Sequence, residues 1–193
     1  MAGRQTKKRK LYPAIAIIGE GITESIYFSQ MRQEEDLQFT VKPDYGKNSS
    51  VESIVEKALD FLEKEFDIVF CVTDMDEMTR NQNLMDKYIN LKKKHGSDRL
   101  VFIETNPCME FWFLLHYTFT TKAFNNYKQL AKLLKKYLPA YDKTEKYLSG
   151  SKIYLQLKPK QANARNNAEQ ITMEGASRSD VYKILDYLGI KKD

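Results

Sequence analysis

Histidine and cysteine are scarce in this chain, with two of each among 193 residues. His95 and His116 alone exclude a multi-histidine metal centre. Cys71 and Cys108 are too few for a disulfide framework or a cysteine-rich zinc cluster. Cys71 lies in an apolar run and is expected to serve as core packing. No stretch approaches the roughly 18 consecutive apolar residues that cross a bilayer. The basic start leads only into a short apolar run ending at Glu20, so no secretory signal peptide is expected and the expected location is cytoplasmic, away from membranes. There is no internal repeat and no low-complexity tract. No linker-like composition divides the chain.

What remains is ordinary for a globular protein: 42% hydrophobic and 30% charged residues, with net charge +5. That sign suits an anionic partner without identifying one. Part of the excess sits in Arg4-Gln5-Thr6-Lys7-Lys8-Arg9-Lys10, read either as a solvated N-terminus or as a phosphate-binding arm. The expected organisation is a basic arm over 1–12 and one domain over 13–193, with a helical extension from about 106.

Short β-branched runs at 14–19, 38–45, 67–73 and 100–103 read as buried strands. Helices are expected over 22–34, after a cap at Ser49 or Ser50, and over 83–95 with Gly96 as terminator. This alternation predicts an α/β fold with a mainly parallel sheet covered on both faces. Beyond 105 the reading is helical. Asn106-Pro107 resembles an N-cap followed by proline in the first turn, ahead of an apolar helix over 109–116. Further helices are expected over 122–138, 160–173 and 178–188.

Three acidic motifs follow the apolar runs: Glu20-Gly21-Ile22-Thr23-Glu24, Asp74-Met75-Asp76, and Asn106-Pro107-Cys108-Met109-Glu110-Phe111-Trp112. In a parallel sheet, strand ends of one polarity share an edge where ligands bind. Carboxylates crowded there repel, and a hard divalent ion with oxygen ligands relieves that repulsion. Asp74 and Asp76, two apart, can project together, with Glu20 completing the site or acting as general base. The plain alternative for such a pair is a solvated turn. Glu110 in an apolar helix needs a partner; it is either a further ligand or a residue placed for the helix dipole. Trp112 reads as core and His116 as packed. Tyr141-Asp142-Lys143 with Lys146 reads as a solvated loop or a phosphate contact.

These motifs, with Tyr27-Phe28, Glu77, the continuation Phe113-Leu114-Leu115-His116 and the downstream Tyr141-x-Lys143, resemble the RloB-like proteins over roughly residues 12–188. That family includes AbiL-type abortive-infection proteins and is placed in the Toprim superfamily. The resemblance implies a Toprim-like, four-stranded, mainly parallel sheet flanked by helices. It implies Mg²⁺, with Mn²⁺ as a substitute, held by Glu20, Asp74 and Asp76, and motif roles for Glu24 and Glu110. The implied activity is phosphodiester hydrolysis of DNA or RNA, tRNA included, in anti-phage defence. The implied partner is an ABC/AAA-type ATPase, since the chain carries no ATPase motif of its own; an oligomer is compatible with the reading. Two other readings stand beside it. One is a non-catalytic nucleic-acid or partner-binding module. The other is a haloacid-dehalogenase-type phosphatase, disfavoured because Asp-x-Asp follows the third strand and Met78 replaces the usual Thr or Val.

Overall fold

The structure is a computed structural model that describes residues 13–43, 50–64 and 66–190. The basic run at Arg4–Lys10, residues 44–45 of the expected second strand and Ser49 lie outside the described residues.

The four buried runs form strands β1 (Ile15–Gly19), β2 (Phe39–Pro43), β3 (Ile68–Asp74) and β4 (Leu100–Asn106). They alternate with α1 (Ile22–Glu34), α2 (Val51–Lys64) and α3 (Gln82–His95). Six elements follow: α4 (Glu110–Leu115), α5 (Tyr127–Leu134), α6 (Glu145–Gly150), α7 (Ile153–Leu157), α8 (Gln161–Glu169) and α9 (Val181–Tyr187). A two-residue strand, β5 (Arg178–Ser179), precedes α9. The sheet order is β2-β1-β3-β4-β5. The first four strands are parallel, and β5 runs antiparallel to β4, with Thr105 opposite Ser179 and Asn106 opposite Arg178.

The sheet is therefore five-stranded and mixed, where four strands were expected. β5 is too short to carry a periodic signal, and its residues open the segment read as a helix from 178. The expected helix over 122–138 contracts to α5, whose N-cap is Asn126, its side chain accepting the Gln129 N–H. Helices α6 and α7 were not among the expected helices; Lys146, read with Tyr141-Asp142-Lys143 as a solvated loop or a phosphate contact, lies on α6.

Alternation along the strands splits the core into two layers. Ile15, Ile17, Phe70, Val72 and Ile103 face α1 and the C-terminal helices, joining Tyr27, Phe28, Trp112, Leu130 and Ile184. Ala16, Ile18, Val69, Cys71, Leu100 and Phe102 face α2 and α3. Ser50 caps α2 by accepting the Ser53 N–H. α3 ends at Gly96, where the backbone turns extended (φ −61°, ψ 133°), and glycine fits there because a Cβ would lie 2.5 Å from the Lys92 carbonyl oxygen. No helix among the described residues is long and apolar enough to cross a membrane.

Candidate functional site at the carboxyl edge of the sheet

β1 and β3 are parallel neighbours, so their C-terminal ends lie side by side. Glu20 follows β1, and its Oε1 accepts the N–H of Asp74, the last residue of β3, at 3.2 Å. Glu24 sits in the first turn of α1, where its Oε2 accepts the Gly21 N–H at 3.1 Å. That placement presses Glu24 against the end of β1. A Cβ on Gly19 would lie 2.5 Å from the Glu24 Cβ, so glycine is required there by close approach. Asp74 Oδ1 accepts from the Thr105 hydroxyl at 2.8 Å and from the Met109 N–H at 3.0 Å. One carboxylate thus ties β3 to β4 and to the entry of α4.

Asn106-Pro107 does not start a helix. Asn106 is the last residue of β4, and the peptide bond to Pro107 is cis. The Pro107 carbonyl accepts the N–H groups of both Met75 and Asp76, at 3.1 and 3.0 Å. The chain turns over the Asp74-Met75-Asp76 loop, and α4 begins only at Glu110. Asp74, from another strand, supplies the carboxylate that accepts the N–H of Met109, the residue flanking the helix.

Glu110 is fully buried. Its Oε1 accepts from Tyr141 at 2.9 Å and Thr23 at 3.3 Å, and Lys143 Nζ lies 3.2 and 3.3 Å from its two oxygens. Tyr141 is buried as well, so Tyr141 and Lys143 belong to the site and not to a solvated loop. The charge of Glu110 had to be met inside the protein, and a lysine 33 residues away meets it. Lys146, on α6, is exposed. Asp76 is oriented differently from Asp74: its Oδ2 lies 3.3 Å from Arg80, and its side chain keeps 25% exposure.

The electrostatics follow from crowding. Burial pushes Glu20 up to about 8, helped by the negative charge of Glu24 and opposed by the Asp74 N–H. Burial and Glu24 hold Asp74 well above the usual carboxylate range, against the pull of Lys143. Burial also raises Glu24, with Lys143 opposing and Glu110 adding to the rise. Burial disfavours the charge on Lys143, yet the combined field of Glu110, Asp74 and Glu24 raises it above the ordinary lysine value. Burial and the neighbouring Glu110 and Asp74 charges likewise raise the Cys108 thiol.

The structure therefore brings Glu20, Glu24, Asp74, Glu110 and Lys143 to one place, with Asp76 at its rim. Among the described residues no three His, Cys, Asp or Glu side chains gather closely enough to hold a metal ion by themselves. Sequence reading missed Thr105, and it missed the fixing of Asp74 by the Met109 N–H. Nothing local marks a threonine at the end of β4 as a partner for Asp74. It also missed a second network, in which Glu104 accepts from Tyr88 at 2.8 Å and pairs with Lys92 at 2.6 Å and with Arg178. The signal for that network was the lone carboxylate in the apolar run of β4.

No curated protein matches the chain, and no solved structure does. The profile of the family described as RloB-like protein matches residues 15–188, nearly the whole of the chain. By that match and its extent, the chain belongs to the RloB-like family.

Proposed function

We propose that the chain is a metal-dependent nuclease of Toprim type, hydrolysing phosphodiester bonds in cytoplasmic anti-phage defence alongside an ATPase partner. The observation that carries this reading is the contact between Glu20 and Asp74 at the adjoining ends of β1 and β3. Four parallel strands with carboxylates after β1 and β3 suit the Toprim arrangement, to which β5 is an addition.

The donor chemistry fits Mg²⁺ or Mn²⁺ in part. Carboxylate oxygens are the ligands such ions take, and Mg²⁺ is commonly held by one or two carboxylates, waters and substrate phosphates. Glu20 and Asp74 would hold the ion, with Asp76 joining from the rim once it leaves Arg80; that exposed pair is worth under about 1 kcal/mol. When bound, the ion neutralises phosphate charge and favours deprotonation of water.

The protein's own groups do the remaining work. Thr105 and the Met109 N–H fix the direction of Asp74. Glu24 holds the start of α1 against β1. Lys143 offers a positive charge beside Glu110 that can face a phosphate oxygen. Glu20 must be ionised either to bind the ion or to accept a proton as general base.

The test is cleavage of single- and double-stranded DNA and of tRNA with Mg²⁺ or Mn²⁺, with the ATPase partner added. Asp74→Ala and Asp76→Ala should each abolish cleavage. Asp76→Ala should leave metal-free melting level or raise it, because removing a carboxylate relieves repulsion, whereas Asp74→Ala should lower it, because the Thr105 hydroxyl and the Met109 N–H lose their acceptor. Glu20→Gln should abolish cleavage yet keep more metal binding than Asp74→Ala. Cleavage that survives the Asp74→Ala/Asp76→Ala double variant would contradict the proposal. A second reading, a non-catalytic binding module, draws on the pairing of Asp76 with Arg80 and of Glu110 with Lys143. It is favoured if the wild type cleaves nothing under any of these conditions.

A further inference from the structure

Between Tyr117 and Tyr141 the chain carries five lysines and no aspartate or glutamate. All five, Lys122, Lys128, Lys132, Lys135 and Lys136, are exposed. No ion pair joins any of them to a carboxylate among the described residues. Elsewhere on the surface, Lys64, Lys87, Lys92, Lys158 and Lys183 do have such partners. The uncompensated charge is also concave. Lys122, Lys132 and Lys136, with Phe124, Gln129 and Leu133, line a groove of about 300 Å³. Its floor is built in: Phe124 is buried, and its N–H donates to the Ser177 hydroxyl at 2.9 Å.

We propose that this groove binds single-stranded nucleic acid, its lysines contacting the phosphodiester backbone. A basic groove tracking the backbone beside aromatic faces on which bases stack is the arrangement that suits a single strand. Near the lysines in sequence, though not in the groove lining, Tyr137 is 39% exposed and stacks on Tyr117 with ring centroids 5.3 Å apart, and Phe119 is 45% exposed. The helix that carries Gln129, Lys132 and Leu133 of the groove also touches the carboxylate site at its first residue. Tyr127, the first residue of α5, lies under Lys143 Nζ at 5.3 Å, and Lys143 pairs with Glu110. Lys132 lies five residues further along α5, roughly 7–8 Å along the helix axis. The inference rests on the phosphodiester reading of the carboxylate site and names the surface that holds its substrate.

The experiment is fluorescence anisotropy of the full chain with a labelled oligothymidylate of about 20 nucleotides, in EDTA to prevent cleavage, over a series of salt concentrations. The variant is Lys122→Gln/Lys132→Gln/Lys136→Gln. The charge-matched control is Lys64→Gln/Lys93→Gln/Lys94→Gln, and the basic N-terminal residues stay in both. The groove variant should bind about tenfold or more weakly, and its log–log salt slope should fall by about 2, near 0.7 for each phosphate that a lysine no longer neutralises. The control should match the wild type, and a duplex of equal length should bind more weakly than the single strand. Equal losses in variant and control, no binding by the wild type, or a duplex bound as tightly would each overturn the proposal. Capture by phosphatidylserine vesicles with no oligonucleotide binding would assign the groove to membranes and overturn it too. The two failures are separable. Binding is read without divalent ions, so a failed groove leaves the carboxylate cleavage test intact, and absent cleavage leaves the salt slope intact.

Discussion

Glu110 carries a charge beneath the surface because three side chains from distant parts of the chain converge on it: Thr23, Tyr141 and Lys143. Removing the one cation should be costly. Lys143→Met leaves Glu110 buried with hydroxyl donors only, and breaking a buried pair costs about 3–5 kcal/mol. Lys143 keeps 35% exposure, so screening reduces the expected loss to about 2 kcal/mol. Chemical denaturation should show this as a lower midpoint with an unchanged m-value; an unmoved midpoint would remove the pair from the account. His116 gives a second prediction. Its Nδ1 lies 2.9 Å from the Trp112 carbonyl, its Nε2 has no partner among the described residues, and burial pushes its pKa down to about 4 from 6.5. Between those values the unfolded chain takes up a proton that the folded chain refuses. Stability should therefore fall as pH drops from about 6.5 to about 4, by roughly 3 kcal/mol at most, and level off below. In denaturation at about pH 7, 5 and 4, which bracket that window, His116→Gln should lack this component; parallel curves for the two proteins would contradict it. At this scale the sequence exposed the need and not the answer. Glu110 stood out in an apolar helix, whereas its lysine lies 33 residues away and nothing local connects them.

The elements show the same division. β1 to β4 were readable because each is a short β-branched run ending in turn residues. β5 was not, because two residues have no period and its pairing depends on where β4 ends. The start of α4 was misread because Asn-Pro is an ordinary helix-entry signal. Here the Pro107 carbonyl is instead taken by the N–H groups of Met75 and Asp76, a demand made by another loop. The junction of β1 with α1 yields a prediction. Gly19→Ala places a Cβ 2.5 Å from the Glu24 Cβ and 2.9 Å from its Cγ, both close to the helix backbone and unable to swing away. Overpacking of this kind costs about 1–3 kcal/mol. At about 2–4 °C per kcal/mol for a chain of this size, thermal melting should fall by several degrees. An unchanged melting temperature would mean that α1 does not press on β1 as described.

Across the whole molecule, the sheet is covered on both faces, and α4 to α9 share a core layer with β1 and β3. The single Trp112 lies in that layer, fully buried, its indole N–H donating to the Tyr27 hydroxyl at 2.8 Å. It joins a helix of the C-terminal part to α1 and so reports on both. If this shared layer holds the helices to the sheet, the red shift of Trp112 emission and the loss of far-UV circular dichroism should coincide in denaturant. Two separated transitions would show that the C-terminal helices unfold independently of the sheet. The parallel α/β architecture was legible because alternation of strand and helix is a global signal. The five lysines and no acid between Tyr117 and Tyr141 stand in the sequence, but only the fold shows that Lys122, Lys132 and Lys136 line one groove.

The central claim is that Glu20 and Asp74 form a divalent-ion site, and Mn²⁺ binding to the full chain, followed by electron paramagnetic resonance, tests it without substrate or partner. The wild type should bind Mn²⁺, Asp74→Ala should lose most of that binding, and Glu20→Gln should fall between them. Wild-type protein that leaves Mn²⁺ free in solution, or variants that bind as the wild type does, would contradict the account.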